Sequence, residues 1–223
     1  MDDHGWGGVH HAWVKNSKWL RNTAFTLFPF FQLDAKIFPR VLYLYEFYKK
    51  ISPLKGAVVE CGIGYSRTFQ ILSLLANQDK RDVWGFDSFE GFPEPSKEDK
   101  SLRNPKKGEW KVMTIEQVWK ILEIIRLPSD ALRRTHIIKG FFEDTLKTSD
   151  TGPIVFLHLD VDLYQSYKTC LENLYPRVVE GGIVIFDEYD SIGYPGAKKA
   201  IDEFFGAGKV QNNYGKYYVI KNK

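Results

Sequence analysis

Two stretches late in the chain limit the fold more than any other: IVFLHLDVD at residues 154–162 and GGIVIFDEYD at residues 181–190. Uninterrupted runs rich in Ile, Val and Phe, each of single-strand length, are the pattern of strands covered on both faces in a parallel sheet. Residues 163–178 between them have the length of one crossover helix. Such a unit is right-handed and brings both carboxyl ends to one sheet edge. An α/β domain is expected, with Asp160, Asp162, Asp187 and Glu188 converging at that edge.

In open α/β sheets ligands bind beyond the carboxyl ends of the strands, so acids gathered there read as a site. The plainer alternative is helix capping, because Asp at a strand-to-helix junction is a common N-cap. One acid per junction would satisfy capping. Doubled acids on two neighbouring strands favour a hard cation held by carboxylates.

At 223 residues the chain is long enough for one α/β domain with an appended segment. Its net charge of +3 comes from interspersed charges with no arginine-rich stripe, which gives no reason to expect nucleic acid. Cys61 and Cys170 have neither metal nor redox spacing, so a reducing cytoplasm is the simplest setting. No apolar run reaches the roughly 18 residues of a membrane span, and no signal-peptide pattern is present.

Residues 1–33, within an expected N-terminal segment 1–37, differ from the rest, with Trp6, Trp13, Trp19, Phe25, Phe28, Phe30 and Phe31 interleaved with Lys15, Lys18 and Arg21. Three basic residues make a weak membrane anchor; a lid over the substrate, or a contact between copies of the chain in a homo-oligomer, suits the aromatics better. His10 and His11 fall in this segment and are read as surface or packing residues before ligands. Residues 38–223 form the expected main domain.

That domain opens with helical spacing of Val41, Leu44, Tyr45 and Tyr48. A short strand at 57–60 then runs into Glu60-Cys61-Gly62-Ile63-Gly64-Tyr65-Ser66, and a helix follows with Phe69, Leu72, Leu75 and Ala76 on one face. Strand, glycine turn and helix are the nucleotide-binding opening of a doubly wound fold. Arg67 replaces the third glycine of a dinucleotide fingerprint, and no phosphate loop of the GxxxxGK type occurs. A pyrophosphate is therefore disfavoured. Asp87, ending the next strand at 82–86, suits ribose hydroxyls, and Glu60 suits the amino end of S-adenosylmethionine better than a phosphate.

Residues 92–112 carry charge without hydrophobic period and read either as an active-site flap or as an ordinary surface loop. Thr114 to Gln117 is a capping box before a helix whose stripe is Ile115, Val118, Trp119, Leu122 and Ile125. A strand is expected at 136–142, with Gly140 and Phe141 near its carboxyl end, where an aromatic could stack on adenine. His158 reads as a core histidine. Pro195 and Gly196 open a last helix, and residues 209–213 and 216–221 a closing hairpin, with Lys198 and Lys199 in solvent.

The motifs VVECGIG, VWGFDSFEGFPEP, IIKGFFEDTL, LHLDVDLYQS and YPRVVEGGIVIFDEY followed by AKKAIDEFF resemble the macrocin O-methyltransferase family of class I S-adenosylmethionine-dependent enzymes, over residues 38–205 in the family's order. FDSFEG and LDxDLY are its specific elements. The resemblance implies a Rossmann-like sheet of about seven strands, a divalent metal, usually magnesium, and methylation of a sugar hydroxyl. By motif, Glu60, Gly62, Gly64 and Ser66 would surround the methionine end of the cofactor and Asp87 the ribose. Ser88 and Gly140, Phe141 and Phe142 would approach the adenine. Asp160, Asp187 and Glu188 match the metal positions, with Asp160 also beside the cofactor, and Asp162 is either a general base or another ligand. The family usually has two aspartates where this chain has Asp187-Glu188, and residues 1–33 find no match. The expected acceptor is a hydroxylated, glycosidic small molecule; a catechol-type vicinal diol is the alternative. A nicotinamide-dependent oxidoreductase and a non-catalytic binding module are the remaining rivals.

Overall fold

The apolar runs do become strands of one sheet. In the computed structural model, which describes Ala35 and residues 37–222, seven strands are ordered β3-β2-β1-β4-β5-β7-β6. They are β1 (Ala57–Cys61), β2 (Val83–Asp87), β3 (Thr135–Lys139), β4 (Ile154–Leu159), β5 (Val178–Phe186), β6 (Gln211–Asn213) and β7 (Lys216–Ile220). The first five are mutually parallel; β7 runs antiparallel to β5 and carries β6 at the edge. Every residue of β1 and β4 is buried, as two-sided cover requires.

Helices cover both faces. On one side lie α1 (Ile37–Ile51), α2 (Arg67–Gln78), α3 (Ile115–Ile124) and the short α4 (Ser129–Arg133), packed on Val58, Phe156, Ile183 and Ile185. In α1 the buried stripe is Tyr43, Leu44, Phe47, Tyr48 and Ile51, a 3–4 spacing in which each fully buried Leu or Phe contributes about 1.5–3 kcal/mol. On the other side, α5 (Phe142–Thr145), α6 (Tyr164–Leu174) and α7 (Pro195–Phe205) cover Val59, Leu157, Leu159 and Val184. β1 stands between β2 and β4, and the connections from it diverge there, which opens a crevice at the carboxyl edge.

The capping box at Thr114 and Gln117 is formed, and the closing hairpin turns at Tyr214 and Gly215, both at positive φ as a tight two-residue turn demands. β3 ends at Lys139, short of the expected Phe142. Gly140, at φ 142, turns the chain, its N–H bonds the Asp87 carbonyl at 3.0 Å, and Phe142 begins α5 instead. Among the described residues no helix is long and apolar enough to cross a membrane. The aromatic segment, with His10 and His11, lies outside the described residues apart from Ala35 and Ile37.

Candidate functional site

A cavity of about 450 Å³ opens at the carboxyl edge. Its walls include Gly62, Gly64, Asp87, Ser88, Gly140, Phe141, Phe142, Asp160, Asp162, Asp187 and Glu188. Glu60 and Ser66 are set back from it. Ser66 is fully buried, at φ 58, and its hydroxyl accepts from Gln70 at 3.1 Å. Glu60 reaches His158 Nδ1 at 3.1 Å in the sheet interior. Burial, then the Asp160 charge, pushes the Glu60 carboxyl well up, and burial brings His158 down to about 3.

The β1–β2 side is built from backbone. Gly62 has φ 86, and a Cβ there would stand 1.8 Å from the Asp160 carbonyl oxygen, so only glycine lets the loop lie on the β4 end. Gly64, at φ 49, donates its N–H to Asp87 Oδ2 at 3.0 Å, and Phe89 N–H donates to Oδ1 at 2.7 Å. Burial raises the Asp87 carboxyl, against the pull of the Phe89, Gly64 and Ile63 amides.

The β4–β5 side is built from charge. Asp160, Asp187 and Glu188 each offer one oxygen within 4.8 Å of the others. An all-oxygen, carboxylate-rich donor set suits a hard divalent cation. The long Glu188 side chain stays in the group because it is tethered: Oε2 lies 2.6 Å from Tyr167 Oη and accepts from Asp162 N–H at 3.2 Å. Asp162 adopts φ 59, a left-handed conformation that Asp tolerates better than the β-branched residues of the strand. Burial, then the neighbouring Asp187, raises Asp160 to about 7; burial, then Asp160, raises Asp162 to about 8. Asp187 is also pushed up by burial, yet lies below its ordinary value because Lys216 above all, and Arg40, bring positive charge to it.

These acids are free of capping duty. The N-terminus of α6 is served from a distance by Asp99, whose Oδ1 accepts from Tyr164 N–H at 2.8 Å while Oδ2 takes Ser96 N–H and Oγ–H at 2.8 and 2.7 Å. Residues 92–112 are accordingly tied down. A short 3₁₀ turn (Lys97–Asp99) buries Asp99, and Ser101 Oγ donates to the Gly193 carbonyl at 2.8 Å. This segment also supplies the rim: Trp110 Nε1 donates to Tyr194 Oη at 3.1 Å, Tyr65 meets Trp110 edge-on at 6.0 Å, and the Arg103 guanidinium lies 4.7 Å from the Tyr194 ring centre.

Two basic residues went unseen in the sequence. Arg40 of α1 lines the cavity and donates to Thr68 Oγ1; Lys216 of β7 pairs with Asp187 Oδ1. Neither sits in a motif, and each lies far along the chain from the acids it faces.

The description "Macrocin-O-methyltransferase (TylF)" belongs to the family model that matches residues 48–217. The chain is 36% identical over 170 residues to the 8-demethyl-8-(2,3-dimethoxy-alpha-L-rhamnosyl)-tetracenomycin-C 4'-O-methyltransferase of Streptomyces olivaceus, covering 69% of this chain and 64% of that protein. It is 31% identical over 156 residues to the demethyldecarbamoylnovobiocin O-methyltransferase of Streptomyces niveus, covering 67% of this chain and 58% of that one. The chain thus spans less than two thirds of the length of these relatives. In fold it is similar to the calicheamicin methyltransferase CalS11, with a TM-score of 0.77 at 22% identity over 96% of this chain and 90% of that one. It is likewise similar to the O-methyltransferase NovP, with a TM-score of 0.70 at 24% identity over 83% and 80%.

Proposed function

The chain belongs to the macrocin O-methyltransferase (TylF) family, and from that premise we propose that it moves a methyl group from S-adenosylmethionine to a hydroxyl of a glycosylated small molecule, with a divalent cation at Asp160, Asp187 and Glu188. The observation that carries this reading is one cavity with a glycine-lined wall on one side and three convergent carboxylates on the other. S-adenosylmethionine supplies an electrophilic methyl group on sulfonium. A hard cation such as magnesium, when bound, lowers the pKa of a hydroxyl it contacts and fixes its position.

The chain's own residues do the rest. The Gly62 and Gly64 backbone leaves room for the methionine part, and Asp87, held rigid by two N–H donors, keeps lone pairs for ribose hydroxyls. Ser88 and the 140–142 turn border the adenine side of the same wall. Asp162 faces the cavity but stands outside the three-carboxylate group, which suits it to take the acceptor's proton. As the new O–C bond forms, the S–C bond breaks and S-adenosylhomocysteine leaves. Tyr65, Trp110 and Tyr194 at the rim offer flat apolar faces to a sugar ring or its aglycone.

The test is methyl transfer onto a panel of deoxysugar glycosides and catechols, read by product mass, with magnesium and with chelator. Glycoside methylation that the chelator stops supports the reading. Turnover unaffected by chelator removes the cation. Preference for catechols replaces the acceptor class, and calorimetric binding of NAD in place of S-adenosylhomocysteine removes the activity.

A further inference from the structure

The acid cluster already holds a cation of its own. Lys216 opens β7, directly after the Tyr214-Gly215 turn, and hydrogen bonding of β7 to β5 aims it back across the carboxyl edge. Its ammonium forms an ion pair with Asp187 Oδ1 and lies 5.0 Å from the Tyr43 ring centre. Both partners are four-fifths buried, with side-chain exposures of 21% and 19%, so solvent screens the pair little. Asp187 is also one of the three carboxylates whose oxygens converge within 4.8 Å.

We infer that Lys216 is an internal competitor for the divalent cation, neutralising Asp187 when the site is empty and giving way when the cation binds. The inference rests on the proposed cation-binding role of the three carboxylates. A doubly charged ion and an ammonium on one carboxylate repel each other in a poorly screened crevice. Each can hold Asp187 strongly only at the other's expense. Arg40, which lines the cavity, donates to Thr68, whereas the ion pair to Asp187 is made by Lys216, so Lys216 is the group that must yield. The hairpin would thereby set how much cation is needed to fill the site.

Mn²⁺ serves as the probe, titrated into wild type, Lys216→Gln and Lys216→Arg with free Mn²⁺ read by electron paramagnetic resonance. Lys216→Gln should bind roughly tenfold or more tighter, the range by which groups behind a metal ligand alter affinity, and Lys216→Arg should stay near wild type. Reductive methylation of Lys216 in the wild-type chain, read by peptide mass, needs no variant and should rise as Mn²⁺ saturates the site. Affinity unchanged or weakened by Lys216→Gln, or equal protection of Lys216 with and without Mn²⁺, overturns the inference while leaving the cation site standing. No Mn²⁺ binding by wild type or by Lys216→Gln overturns both; binding by Lys216→Gln alone is competition in its strongest form.

Discussion

The two halves of the carboxyl edge are made by different means. At the ends of β1 and β2 the groups are satisfied by the backbone: Gly64 and Phe89 N–H on Asp87, and a glycine at Gly62 where no Cβ fits. At the ends of β4 and β5 the acids are balanced by side chains of other elements: Lys216 on Asp187, Tyr167 on Glu188, and Asp99 relieving them of the α6 cap. A wall whose polar groups are held by backbone donors is rigid. An acid wall made of opposed charges responds to any cation that enters.

This difference also explains what could be read from the sequence. The GIG turn, the apolar runs and the doubled acids are local patterns, and the seven-stranded sheet and the meeting of Asp160, Asp187 and Glu188 followed from them. Lys216, Arg40, Tyr167 and Asp99 carry no local signature, because their partners are fixed only when the hairpin, α1, α6 and the 92–112 segment pack together. The charged, aperiodic 92–112 stretch illustrates the limit. Its order comes from a buried Asp99 and polar contacts to the 190s loop, which hydrophobic periodicity cannot register.

If the halves are separable, damage to one should spare the other. Asp187→Ala is the largest expected effect: turnover should fall on the order of 10³-fold, as when an electrostatic stabiliser is lost, with S-adenosylhomocysteine affinity by calorimetry unchanged. A parallel loss of cofactor affinity would break the comparison. Asp162→Asn should lower kcat roughly 10²-fold, the contribution of a positioned base, with the KM for S-adenosylmethionine little moved. A normal kcat would remove Asp162 from proton transfer.

Gly62→Ala probes a point where the halves touch. The added methyl would stand 1.8 Å from the Asp160 carbonyl oxygen, against backbone that cannot turn aside, in a residue already at φ 86. Overpacking of this kind costs about 1–3 kcal/mol, and the melting temperature should drop by several degrees. Because the clash displaces Asp160 as well as the cofactor loop, this variant alone should weaken both S-adenosylhomocysteine and Mn²⁺ binding. Loss of only one would mean the loop and the β4 end move independently.

Trp110→Phe is the smallest change and sharpens the contrast from the rim. The indole keeps two contacts: its ring meets Tyr65 at 6.0 Å, and its N–H donates to Tyr194 Oη at 3.1 Å. Phenylalanine preserves the first and deletes the second. A single neutral hydrogen bond at an exposed position is worth about 0.5–1.5 kcal/mol, so the acceptor KM should rise roughly 2- to 10-fold if Tyr194 needs that donor to hold its place. Tyr194 shares the cavity wall with Asp162, so a loosened Tyr194 should also cost some kcat, whereas a rim that only stacks on the acceptor would change KM alone. Equal KM and kcat in the variant would mean that the Trp110–Tyr194 bond serves neither acceptor binding nor the placement of Asp162. The rim would then owe its order to Asp99 and Ser101, neither of which lines the cavity.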